Sequence, residues 1–331
     1  MKYDYLIIAV IYISIASCNN FSKKNNETAN NLQKTNALNF AIPDTQNIPK
    51  DAFGQAVRYG QQLLVNTVYY IGPNGIKGQY TANKMNCSNC HQDAGTKPFS
   101  FNLMRAHQNY PQYRSRENKI LTLADRVNNC VMRPHNGQPL PYEGEEMTAI
   151  LSYLKWINSF VIKKDSFLGS GNQEIQYPPI AASPIEGGKL YKIHCQRCHQ
   201  ANGDGVFGSD SNSYIYPPLW GPKAYQAGSS MHRVTKLASW LKSNMPHKEA
   251  QWNKPILTDV EALHLAAFVN EDTMHPRPFK AIPIDYPNPD TKPMDYDHGP
   301  YADTFTEAQH KYGPFPPIID YWKKKGQNLN R

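Results

Sequence analysis

The chain has no apolar stretch long enough to cross a bilayer comfortably: its N-terminal run, Tyr5 to Ala16, falls short of the roughly 20 residues that a spanning helix needs. It has no motif of a nucleic-acid module either, so a net charge of +8 and a pI near 9.0 give no reason to expect a nucleic-acid partner. Cysteine is sparse, with six in 331 residues. Four fall in two Cys-x-x-Cys-His motifs, Cys87 to His91 and Cys195 to His199. Cys18 and Cys130 remain. Cys18 ends the N-terminal run, so Cys130 has no evident disulfide partner. An unpaired thiol in an exported chain is either buried and inert or chemically employed.

The first residues read as an export signal: Lys2, the apolar run, then Ile15-Ala16-Ser17-Cys18. Small residues before a cysteine resemble the bacterial lipoprotein box. Residues 1–17 are therefore expected to be a lipoprotein signal peptide. Residues 18–49 are expected to be a polar tether to a lipid on Cys18. This predicts a periplasmic or otherwise extracytoplasmic protein held at a membrane.

Beyond the tether, one plan occurs twice: helix, Cys-x-x-Cys-His, a loop-rich stretch, closing helix. The first copy opens on a helix over 53–68, with Val57, Leu63, Leu64 and Val68 near helical spacing. It closes over 145–160, with Met147, Ile150, Leu151, Leu154 and Ile157 on one face. The second copy opens over 185–195. Its closing helix starts at Thr258, with Glu261 three residues on as a capping box. Thr122 and Asp125 mark another start. The expectation is a mainly α fold of two class I cytochrome c-type domains, 50–164 and 184–271, joined by a linker at 165–183. A Pro-rich, aromatic tail over 272–331 is expected to wrap irregularly over the body.

Cys-x-x-Cys-His is the attachment signature of c-type haem: two thiols bond the porphyrin and the histidine ligates iron. Two copies predict two covalently bound haems c, on Cys87, Cys90 and His91 and on Cys195, Cys198 and His199. For the second iron, Met231, Met245 and Met274 are the distal candidates. Met245 is preferred, because it precedes Pro246 between two helices, and Met/His ligation raises the potential, as an electron relay requires. For the first iron, spacing leaves Cys130, Met132 and His135 open. From Asp93 to Asn136 the chain carries seven Lys/Arg, among them Arg114, Arg116, Arg126 and Arg133, against three acids. That excess predicts an anionic substrate, or pairing with haem propionates.

Longer motifs narrow this. Asn86 to Pro98, Tyr110 to Asn118, Asp125 to Cys130 and Asn136 to Pro141 resemble the dihaem thiosulfate dehydrogenases (tetrathionate-forming). So do Tyr153 to Ile157, Met231 to Val234 and Gly299 to Asp303. The resemblance covers nearly all of the chain after residue 50. It implies that Cys130 is the distal ligand of the first iron, opposite His91. It implies a catalytic site of Cys130, Arg116 and Arg126, where thiosulfate and tetrathionate are interconverted, the cysteine sulfur carrying a covalent adduct. It also implies a His199/Met245 relay to a small soluble or membrane-associated cytochrome. Two positions depart from the family pattern. Pro134 stands where many members have serine, and Asn244 where some have a lysine beside the second-haem methionine. The alternatives are a non-catalytic electron carrier, a dihaem peroxidase, and a cytochrome subunit of a sulfur-oxidising complex.

Overall fold

The computed structural model describes residues 41–162, 168–209, 212–279 and 285–326. The signal peptide, most of the tether and Cys18 lie outside the described residues. The chain divides into a body, residues 42–161 and 169–331, and a second unit of which only residues 41, 162 and 168 are described. Both Cys-x-x-Cys-His motifs belong to the body.

The mainly α expectation is met. In the first half, α1 (Ala52–Val65) starts where Asp51 accepts a hydrogen bond from the Gly54 amide at 2.8 Å. The sequence pattern predicted one helix to residue 68. Instead the chain breaks at Asn66 and resumes as α2 (Thr67–Ile71). The Thr67 hydroxyl turns back to the Leu63 carbonyl at 2.7 Å and accepts from the Cys87 amide at 2.9 Å. The break therefore anchors the first attachment cysteine. Next comes a hairpin of β1 (Gln112–Arg114) and β2 (Lys119–Leu121), antiparallel with Tyr113 opposite Ile120. It lies in a stretch expected to be loop.

Helix α3 (Leu123–Met132) opens on the Thr122–Asp125 capping box. Helix α4 (Glu145–Asn158) buries Met147, Ile150, Leu154 and Ile157 on one face. Full burial of each such side chain contributes about 1.5–3 kcal/mol.

The second half repeats the plan with α5 (Pro184–His194), α6 (Gln196–His199), α7 (Val234–Asn244) and α8 (Asp259–Val269), α8 carrying the Thr258–Glu261 capping box. The short strands β3 (Val206–Phe207) and β4 (Tyr214–Tyr216) pair between α6 and α7. The repeat extends to atomic detail. A Cβ on Gly60 would lie 2.0 Å from the Ala149 carbonyl oxygen, and one on Gly187 would lie 2.0 Å from that of His264. Each opening helix crosses its closing helix backbone to backbone, and only glycine fits at the crossing.

The two halves interlock. Trp240 on α7 donates to the Cys90 carbonyl at 3.2 Å, and Asn244 donates to that of Phe99 at 3.0 Å. The tail does pack over the body, but it also contains α9 (Glu307–Tyr312) and α10 (Pro316–Lys324). Phe315, Ile318 and Trp322 join the core of the second half. No described helix is long and apolar enough to cross a membrane.

Candidate active site

A cleft of about 930 Å³ opens between the halves. Cys87, Cys90, His91, Arg126, Cys130 and Arg133 line it from the first half, and Arg233 and Lys236 from the second. Helix α3 sets its centre. Arg126 and Cys130 are four residues apart and so share one helix face, with Arg126 Nη1 donating to the Cys130 sulfur at 3.3 Å. The His91 ring also reaches that sulfur. Burial pushes the Cys130 thiol up, but Arg126, His91 and more distant Arg133 outweigh it and hold the group down at about 7. Cys87 and Cys90 share the cleft and have no such arginine. Burial pushes them up, to about 11 and about 12.

Of the other candidates for the first distal position, His135 also lines the cleft, whereas Met132 is not among its lining residues. His135 is buried, its Nε2 3.6 Å from the Cys87 sulfur and its Nδ1 3.3 Å from Asn83 Oδ1. Burial, with His91 nearby, lowers it to about 4. The Met132 carbonyl accepts a hydrogen bond from Gln226.

The donor set fits a c-type haem at each motif. His91 Nδ1 lies 2.7 Å from the Phe101 carbonyl oxygen, and His199 Nδ1 lies 2.8 Å from that of Pro217. A carbonyl only accepts, so Nδ1 carries the proton and Nε2 keeps a lone pair for iron. Both attachment thiols, His91 and Cys130 open on one cleft. At the second motif, Cys195 and Met245 pack on a common apolar cluster. Met245 follows α7 directly. Of its rivals, Met274 is 54 % exposed, and Met231, a member of that same cluster, also lines the Cys130 cleft.

The sequence-predicted arginines fall differently. Arg126 faces the sulfur. Arg116 is buried and tied to other groups: Nη1 donates to the Gly228 carbonyl at 2.8 Å, and Nε lies 3.4 Å from the Tyr286 hydroxyl and 3.6 Å from Asp285. Arg133 Nη2 meets the same Asp285 at 2.7 Å, and Nη1 lies 3.4 Å from Glu117. Sequence reasoning missed Asp285, Tyr286 and Lys236. For Asp285 and Tyr286 the only signal was the aromatic character of the tail, which gave no address, and Lys236 had none.

The chain is similar to known proteins in both halves. Residues 77–158 match the SoxA/TsdA cytochrome c domain, and residues 185–272 match the cytochrome c domain. Thiosulfate dehydrogenase of Stutzerimonas stutzeri is 30% identical over 239 residues, covering 72% of this chain and 73% of that protein. The enzyme of the same name from Psychrobacter arcticus is 33% identical over 250 residues, covering 75% and 72%. Among solved structures, thiosulfate dehydrogenase (TsdBA) from Marichromatium purpuratum, as isolated, superposes with a TM-score of 0.65 at 28% identity. That match covers 73% of this chain and 50% of the solved one. The two matched domains indicate two covalently bound c-type haems. The chain belongs to the dihaem thiosulfate dehydrogenase family of c-type cytochromes.

Proposed function

We propose that this protein joins two thiosulfate ions into one tetrathionate, releasing two electrons, and that the same site also runs the reverse cleavage. The observation that carries the reading is the Cys130 sulfur in contact with both His91 and Arg126 in a cationic cleft. Thiosulfate is a dianion, and fixed guanidinium donors offset the repulsion when two of them meet. Arg126 favours the thiolate form of Cys130, the nucleophilic one, and also orients an incoming oxyanion. Arg116 and Arg133, both lining the cleft, add positive potential and are held in place by Asp285.

In this reading His91 and Cys130 would hold the iron of the first haem, and His199 and Met245 that of the second. Each haem, when bound, takes up one electron at a time and passes it on. The buried interlock of Trp240 with Cys90, and of Asn244 with Phe99, holds the two sites in fixed register. Asn244 Nδ2 donates to the Phe99 and Trp240 carbonyls, and Asn244 is not a lysine that could compete with Met245 for the second iron. We place the protein on the outer side of a membrane, anchored through Cys18, with a small cytochrome as electron partner. The N-terminal sequence and the thiol-bonded haem motifs support this placement.

The test is turnover by purified, haem-loaded protein, with thiosulfate and ferricyanide in one assay and tetrathionate and a reduced dye in the other. Tetrathionate formation in the first supports the reading. Inactivity in both, with both haems attached, leaves the electron carrier as the better account.

A further inference from the structure

Joining two dianions requires a place for each, and Arg126 with Cys130 accounts for one. Six Arg and Lys side chains line the cleft: Arg114, Arg116, Arg126, Arg133, Arg233 and Lys236. Four are already engaged. Arg116 and Arg133 share Asp285, Arg233 is held by Asp295, and Arg126 meets the Cys130 sulfur. The charged ends of Arg114 and Lys236 have no carboxylate or hydrogen-bond partner among the described residues. Arg114 is half-buried on β1 and Lys236 half-buried on α7, so two separate elements bring them to one cavity. Asp295 faces Lys236, but its oxygens are taken by Arg233 and Thr235. Burial, then Arg233 and Arg114, pull the Lys236 ammonium down to about 8 despite Asp295. Against these six cations stand Glu117, Glu174 and Asp295 in the cleft lining, with Asp285 bound to Arg116 and Arg133, so the cleft keeps a positive excess that favours an anion.

We propose that Arg114 and Lys236 form a second anion subsite, which holds the attacking thiosulfate after the first has bonded to Cys130. The inference rests on the thiosulfate reading above and assigns the second substrate within it. In the first half-reaction, the terminal sulfur of one thiosulfate bonds to the Cys130 thiolate sulfur. Two electrons leave singly to the one-electron acceptors of the cytochrome, and Cys130 then carries a thiosulfonate. In the second, the terminal sulfur of the thiosulfate at Arg114 and Lys236 attacks the sulfur attached to Cys130. The old sulfur–sulfur bond breaks with its electron pair on Cys130, and tetrathionate leaves. Charge is equal on both sides of this step and no proton moves. Lys236 and Arg114 are positioning residues here, acting on the second substrate alone.

The experiment uses the haem-loaded full protein and three variants, Lys236→Met, Lys236→Arg and Arg114→Gln. Thiosulfate KM and kcat are measured with ferricyanide, the Cys130 adduct is followed by mass spectrometry, and the haem potentials are titrated. Loss of one charged contact to an oxyanion raises KM about tenfold or more in Lys236→Met and Arg114→Gln, while Lys236→Arg stays near wild type. The Cys130 adduct still forms in Lys236→Met but discharges more slowly with added thiosulfate. Wild-type KM climbs as pH rises through about 8, where the Lys236 charge is lost, and Lys236→Arg flattens that climb. Unchanged KM in both Lys236→Met and Arg114→Gln overturns the subsite while leaving the thiosulfate reading intact. A shifted first-haem potential with unchanged KM also overturns it, since these cations are then propionate partners. A wild type that turns over no thiosulfate overturns the underlying reading, and the subsite with it.

Discussion

Replacing Arg126 by glutamine tests the electrostatics of the site at its centre. The substitution keeps a polar side chain of similar length on α3 but removes the charge that lies 3.3 Å from the Cys130 sulfur. Burial pushes the Cys130 thiol up, and Arg126 is the largest of the influences, ahead of His91 and Arg133, that hold it down at about 7. A hydrogen bond to a charged group contributes about 1.5–3 kcal/mol. At about 1.4 kcal/mol per factor of ten, Arg126→Gln should lower kcat/KM for thiosulfate roughly ten- to hundredfold. Arg126→Lys keeps the charge but loses the forked donors, and should fall between the two. The assay is ferricyanide-coupled thiosulfate oxidation, with haem content verified by the reduced spectrum. A variant with both haems attached and kcat/KM within about twofold of wild type would refute the reasoning, because no transition-state stabilisation would then depend on this charge.

Other consequences follow from the packing. Asp285→Asn leaves Arg116 and Arg133 buried without their shared counter-charge, so thermal unfolding should register a loss of about 3 kcal/mol or more. Gly187→Ala drives a methyl group into the His264 carbonyl, and should lower stability by about 1–3 kcal/mol in the same assay while leaving the first site unaltered. Burial pushes the Asp297 carboxyl up, but His298, His232 and Lys311 outweigh it and hold the group at about 2. Since the folded value is depressed, its stabilisation of about 2 kcal/mol is present above pH ~4 and is lost as pH falls toward 2. Asp297→Asn should make the acid-unfolding profile shallower over that interval.

Local features of the fold were legible in the sequence, and distant ones were not. The Thr122–Asp125 and Thr258–Glu261 capping boxes stood where helices start, because a cap needs only residues three apart. The Val57, Leu63 and Leu64 face and the Met147 to Ile157 face followed from helical periodicity, and the repeat followed from two copies of one motif. The break at Asn66 was hidden, since it depends on Thr67 reaching the Cys87 amide some twenty residues on. Arg126 beside Cys130 was readable as an i,i+4 pair. The partners of the other arginines were not: Asp285 lies 152 residues from Arg133, and the Tyr286 hydroxyl lies 170 residues from Arg116. Only the folded chain brings the tail and α7 to the cleft, so Lys236 carried no signal in sequence.

The central claim is that the Cys130 sulfur does the chemistry. The most direct measurement is the Cys130→Gly variant, loaded with both haems and examined for thiosulfate turnover and optical spectrum together. The account predicts that thiosulfate oxidation is abolished and the first haem's spectrum changes, while the second haem stays redox-active. Turnover that persists at the wild-type rate in that variant would contradict it.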